Sequence, residues 1–250
     1  MEVNMIDQAI CEFKSMEIVG SESGDQFFEK FGIGNIVEYT DKPFERFSYY
    51  ENLLSSMQKV DPLKYKDIHK GTPFYFLAWT AFDMKNFEKA LFYMDAAISE
   101  DIRKEPQDWI NCHAASFLTF VPQTFQSASR VMPILQNLVE AQISLFNNIP
   151  GHPVVSFENF IENFVRFLVR DSPKRSIITA FYTFLLEFED LCVTLELRSV
   201  NGGSIEPFLT HLFKGGLIFE SLLKNFYPFN DDGRRALTLS AIFKNTNFRS

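Results

Sequence analysis

The groups in this chain that could do chemistry are carboxylates, histidines, thiols and clustered cations, and their spacing restricts each. Glu187, Glu189, Asp190 and Glu196 lie in one helix-forming stretch, with Glu187 and Asp190 on a shared face at i, i+3. A metal centre needs more ligands than that pair, and no histidine is near them in sequence. A solvated helix face is the competing reading. His69, His113, His152 and His211 are scattered, so a Ser-His-acid or Cys-His site would need convergence in space. Cys112 and His113 are adjacent, and helical neighbours diverge by about 100°, so they do not form a nucleophile–base pair. Arg166, Arg170, Lys174 and Arg175 cluster around a helix end. There they would either favour the helix dipole or contact an anion or RNA. Lys214-Gly215-Gly216 lacks the order of a phosphate-cradling loop. Mid-helix glycines cost roughly 1 kcal/mol each against alanine, so Gly215 and Gly216 are expected at a close helix–helix or subunit contact. No catalytic residue, metal ligand or cofactor is assigned.

The composition suits a packed protein. Hydrophobic residues make up 46% of the 250 positions and charged residues 22%, which argues against disorder over most of the length. Phenylalanine is over-used, at 29 residues against 2 Trp and 8 Tyr. Most of these rings are expected in a core, since phenylalanine carries apolar area without a polar handle. The net charge of −8 argues against a broad nucleic-acid-binding surface. It is unevenly spread: residues 201–250 carry +2 and the first 200 carry −10, which leaves room for a local anion site near the C-terminus. Cys11, Cys112 and Cys192 are odd in number and widely spaced, as in reduced cytosolic thiols rather than a disulfide framework. The first residues lack a basic and an apolar signal-peptide region. The most apolar run, Ile177 to Leu186, is far shorter than the about 20 residues of a membrane span. A cytoplasmic, non-membrane protein is expected.

The elements that must position these groups read as helices. Apolar residues recur at helical spacing from Val3 to Phe13, and GSESGD at 20–25 breaks that helix. Residues 26–42 stay open between a loop and a short extended segment. A helix is expected from Pro43 to about Val60 with Phe44, Phe47, Leu54 and Met57 inward. Two more are expected at about 73–84 and 87–100, joined at Lys85-Asn86, with Ala78, Ala81, Ala90 and Ala97 where they touch. Further helices are expected from Trp109 to Phe120, from Ser127 to Asn147, after a Ser156 cap, from about Pro173 to Ser199, after Ser204, and near Arg234. The loop Asn147 to Pro153 is the strongest break, and it sets the expected domains at 1–150 and 151–250. No stretch alternates strictly, so the fold class is all-α.

Residues 74–98 resemble a tetratricopeptide repeat (TPR). The match is Leu77-Ala78 on the first helix, Phe87 after the bend, and Ala90, Met94 and Ala97 on the second. It departs at the end, where the terminating proline is displaced to Pro106, and at Ala81, where an aromatic is common. No second copy is evident, and single repeats do not bury their own faces. The resemblance implies a TPR-like hairpin array followed by a helical bundle. It also implies that Tyr75, Trp79, Phe82 and Asp83 turn into a partner-binding groove, with core packing as the rival reading. More weakly, Ser204 to Lys224 with the preceding Arg198 resembles helices of prokaryotic HEPN-type proteins, many of them defence ribonucleases. Their Arg, then His four to six residues later, does not occur here. The expected function is a non-catalytic interaction or sensing module with a protein or peptide partner, which includes a second copy of itself; nucleic acid is not expected. The alternatives are the regulatory part of a HEPN-type effector and a structural oligomer subunit.

Overall fold

A computed structural model describes residues 2–32, 42–122, 126–197, 204–229 and 233–235. Its regular structure is helical, apart from one antiparallel bridge between Phe229 and Arg235. The helices are α1 (Glu2–Ser15), α2 (Glu22–Phe31), α3 (Pro43–Val60), α4 (Pro62–Asp67), α5 (Gly71–Asp83), α6 (Phe87–Lys104), α7 (His113–Leu118), α8 (Gln126–Asn147), α9 (Phe157–Phe160), α10 (Arg166–Val169), α11 (Ser172–Leu197) and α12 (Glu206–Phe226). A π-turn at Ile161–Val165 joins α9 to α10. The all-α expectation holds for the described residues. The start of the undecided stretch, residues 26–31, is helical; its later part, 33–41, and the helix expected beyond Arg234 lie outside them.

The chain divides into two compact units, Met1–Ile134 and Leu135–Ser250. The division falls inside α8 beside Pro133, which has no N–H to give the helix. The loop at residues 147–153 is closed by a side-chain clasp. Asn147 Nδ2 donates to the Val155 carbonyl and its Oδ1 accepts the Val155 N–H, both at 2.9 Å.

In the first unit α5 is the central element. It is apolar nearly all round, and such a helix must be buried on all sides. It pairs with α6 and also packs on α3 and α2. Ala78, Ala81, Ala90 and Ala97 are all buried, as the small-residue pattern predicts. His69 and Lys70, at the start of α5, reach Asp101 and Glu100, at the end of α6, so the pair is antiparallel. The two helices therefore form one antiparallel helical hairpin. Phe13, Phe27, Phe28 and Phe31 extend the core through α1 and α2. Phe44 is a correction: it is exposed, while Arg46 is buried in its place. Arg46 Nε donates to Thr80 Oγ1 at 3.0 Å and its guanidinium pairs with Asp83. A charged head group satisfied in this way can be buried.

In the second unit α11 packs on α12 and on α10. Ser156 caps α9, accepting the Asn159 N–H at 3.1 Å. Ile161, Val165 and Leu168 are buried, Phe157, Phe160 and Phe164 half-buried, and Ile178, Tyr182, Leu185 and Leu186 of α11 complete this smaller core.

Candidate functional site

The expected groove of the first unit is filled. Trp79 is 2% exposed, and Tyr75 and Phe82 are also buried. Phe117 of α7 packs edge-on against Trp79 at 5.2 Å and lies 5.5 Å from Phe82, while His113 stacks on Tyr75 at 5.6 Å. Asp83 reaches solvent, but its carboxylate is held by Arg46. The helix after α6 thus covers the face that a repeat would leave open, and these rings are core.

Beside them is a polar cluster that spacing alone did not reveal. The His69 ring lies between two carboxylates, with Nε2 3.0 Å from Asp101 Oδ1 and Nδ1 3.3 Å from Asp25 Oδ1. Burial by itself would lower its pKa. Hydrogen bonds and charge from Asp101 and Asp25 outweigh burial and hold it at about 9. The ring is a cation that donates from both nitrogens, so it has no lone pair for a metal and none to act as a base. Thr72 Oγ1 donates to the same Asp25 oxygen at 2.7 Å. Cys112 adjoins Asp101, and burial, then that negative charge, push its thiol up to about 12. A neutral thiol is a poor nucleophile. The cluster ties α2, α5 and α6 together and is built for structure. No group of three or more His, Cys, Asp or Glu among the described residues could hold a metal ion.

The second unit differs at its surface. Leu209, Leu212, Phe213, Gly216 and Leu217 fall at i, i+3, i+4, i+7 and i+8 on α12, the spacing of a buried stripe, yet this stripe faces solvent. Leu212 is 72% exposed, Phe213 76% and Leu217 65%. Gly215 and Gly216 have separate surroundings. A Cβ on Gly215 would lie 3.0 Å from the Phe184 ring of α11, whereas one on Gly216 would meet nothing within 4 Å. Gly215 thus serves packing inside the unit, and Gly216 lies on the open stripe. Behind it, His211 is buried, stacked on Phe184 at 4.0 Å and 5.8 Å from Phe188. Its ring nitrogens have no hydrogen-bond partner, and Glu187 is 3.7 Å away. Burial lowers its pKa, helped by Lys214 and opposed by Glu187. Glu187 is bonded by Lys214 at 2.9 and 3.0 Å. Of the HEPN-like residues, Arg198 lies outside the described residues.

The basic cluster at the start of α11 is not one patch. Arg166 pairs with Glu162 at 3.3 Å, and Arg175 is buried with its guanidinium on the Val169 carbonyl. Lys174 alone turns into a cleft of about 570 Å³ at the ends of α11 and α12, with Lys224 and Arg235. No described helix is long and apolar enough to cross a membrane. No protein-family model, curated protein or solved structure matches the chain.

Proposed function

We propose that this protein is a non-catalytic interaction module whose contact surface is the outer stripe of α12 and whose partner is a second copy of the chain. The exposure of Leu209, Leu212, Phe213 and Leu217 in a core-type pattern carries the reading. A contiguous apolar face of this kind is a mark of interaction sites.

Charge argues for self-pairing. Lys214 is bonded to Glu187 and Glu220 to Lys224 inside the chain, so the ionic groups beside the middle of the stripe are already paired. The middle of the face offers chiefly apolar contact. Such a patch is self-complementary under a two-fold axis, the commonest symmetry of oligomers. Gly216 leaves bare backbone at the middle of the stripe, where a second helix can approach closely.

Sedimentation velocity of the full chain tests it, with Leu212→Glu/Phe213→Glu as the comparison. A dimer that the double variant converts to a monomer, with unchanged far-ultraviolet circular dichroism, is the expected result. A wild type that is monomeric over a wide concentration range, or a variant with the same oligomeric state, contradicts it.

A further inference from the structure

His211 is a histidine at a place where packing needs only a flat ring. It lies on the side of α12 that meets α11. Its ring stacks on Phe184 with centroids 4.0 Å apart and planes 8° from parallel, and Phe188 flanks it at 5.8 Å. Both ring nitrogens are shut off from solvent, and neither has a hydrogen-bond partner. A neutral imidazole carries one N–H donor and one acceptor, and leaving them unmatched in the interior costs free energy. A phenylalanine would stack in the same place without that cost. What the imidazole adds is the capacity to take up a proton.

The surroundings hold that proton off. Among the described residues two charged groups act on the ring, Glu187 from α11 and Lys214 from α12. Glu187 Oε2 is 3.7 Å from Nδ1, longer than a hydrogen bond. Both Glu187 oxygens are taken by Lys214, at 2.9 and 3.0 Å. A protonated ring would be a cation with two donors, one facing a carboxylate already engaged and the other facing no acceptor. A charge buried in that position is costly, so protonation requires the ring to turn toward water. The seat of α12 opposes such a turn. One helical turn on, a Cβ on Gly215 would lie 3.0 Å from the same Phe184 ring, so the two helices already touch closely there. Taking up the proton therefore lifts α12 at His211, and Leu212 and Phe213 of the open stripe are the next two residues.

We propose that His211 is a proton-operated release for the self-pairing face of α12: two copies hold together while the ring is neutral and separate when it is protonated. The inference rests on the self-pairing proposed above for this face. In a dimer α12 is held between α11 and the partner, so the shift that a charged ring needs is opposed. In a monomer the outer face is free and the shift costs less. The proton thus binds the separated chains more tightly, and by linkage acid weakens the pair. Bulk charge works the other way. The net charge of −8 shrinks in acid, which weakens the repulsion between copies. Release on acidification is therefore the mark of a local group and not of the overall charge.

Sedimentation velocity of the full chain from about pH 8 downward tests it, with the His211 ring followed by nuclear magnetic resonance on matched samples. The dimer dissociation constant should stay flat while the ring is neutral and rise about tenfold or more as it protonates, with far-ultraviolet circular dichroism unchanged. His211→Phe should remain paired over the same range. Glu187→Gln, which removes the charge that favours the imidazolium, should move the release to lower pH, and it serves if His211→Phe does not fold. A wild type that is monomeric at about pH 8 contradicts the self-pairing and this inference with it. Four results overturn this inference alone: a dimer whose affinity ignores protonation of the ring, a ring that stays neutral until the unit unfolds, release that persists in His211→Phe, or release at an unchanged pH in Glu187→Gln.

Discussion

At the scale of single residues, His69 sets the most direct expectation. Its folded pKa of about 9 lies above the ordinary 6.5. The stability it supplies is therefore fully present below pH 6.5 and is lost as pH rises through about 9. A shift of that size corresponds to about 3 kcal/mol at most. Asp25 and Glu100 work the other way: burial would raise both, but hydrogen bonds and cationic partners hold them low. Their contribution is present above the ordinary carboxylate range and is lost as acid protonates them. The melting midpoint of the first unit should fall between pH 6.5 and 9, and in His69→Gln that fall should flatten. A histidine variant with the wild-type pH profile would mean that the ring is neutral in the fold. The same site limits Gly71, since a Cβ there would lie 2.3 Å from Asp101 Oδ1 and 2.7 Å from His69 Nε2. Gly71→Ala should be at least as disruptive as His69→Gln in chemical denaturation, and a neutral result would show that the carboxylate yields.

At the scale of elements, the α5–α6 hairpin is where sequence and structure agree most closely, because small residues at helical spacing leave one way for two helices to touch. Ala90 is fully buried in that contact, so Ala90→Leu should overpack it and cost about 1–3 kcal/mol in urea unfolding. An unchanged midpoint would count against the contact. The groove failed for a reason of the same kind. Tyr75, Trp79 and Phe82 have helical spacing whether they face a ligand or a neighbour, and only the position of Phe117 decides between the two. Phe44 had an inward periodicity that Arg46 displaced, because a guanidinium with two partners outcompetes an unneeded ring. The π-turn at Ile161–Val165 lies within an unbroken helical pattern and leaves no mark in residue types. In the cleft, Lys174 was legible as part of a basic cluster, whereas the place of Arg235 depends on its bridge to Phe229. The orphaned ring nitrogens of His211 are a matter of geometry that no spacing encodes.

At the scale of the molecule, the two units differ in what they leave to solvent. The first buries most of its rings, while the exposed large apolar side chains among the described residues fall mostly in the second. Their titrating groups also differ in sign. His211 is held neutral by burial, so its contribution is present above pH 6.5 and lost as pH falls through its lowered pKa. Both tryptophans, Trp79 and Trp109, belong to the first unit. As pH falls below 6.5, thermal unfolding followed by circular dichroism should therefore show a weakening that tryptophan fluorescence does not, and His211→Phe should remove it. Coincident loss in both signals would mean that the units unfold as one. The claim on which the functional reading turns is that the second unit's open stripe is an interface. Sedimentation equilibrium of the full chain beside Leu212→Glu/Phe213→Glu tests it most directly: the account requires a dimer that becomes a folded monomer in the variant, and a wild-type monomer, or a dimer that both substitutions leave intact, would contradict it.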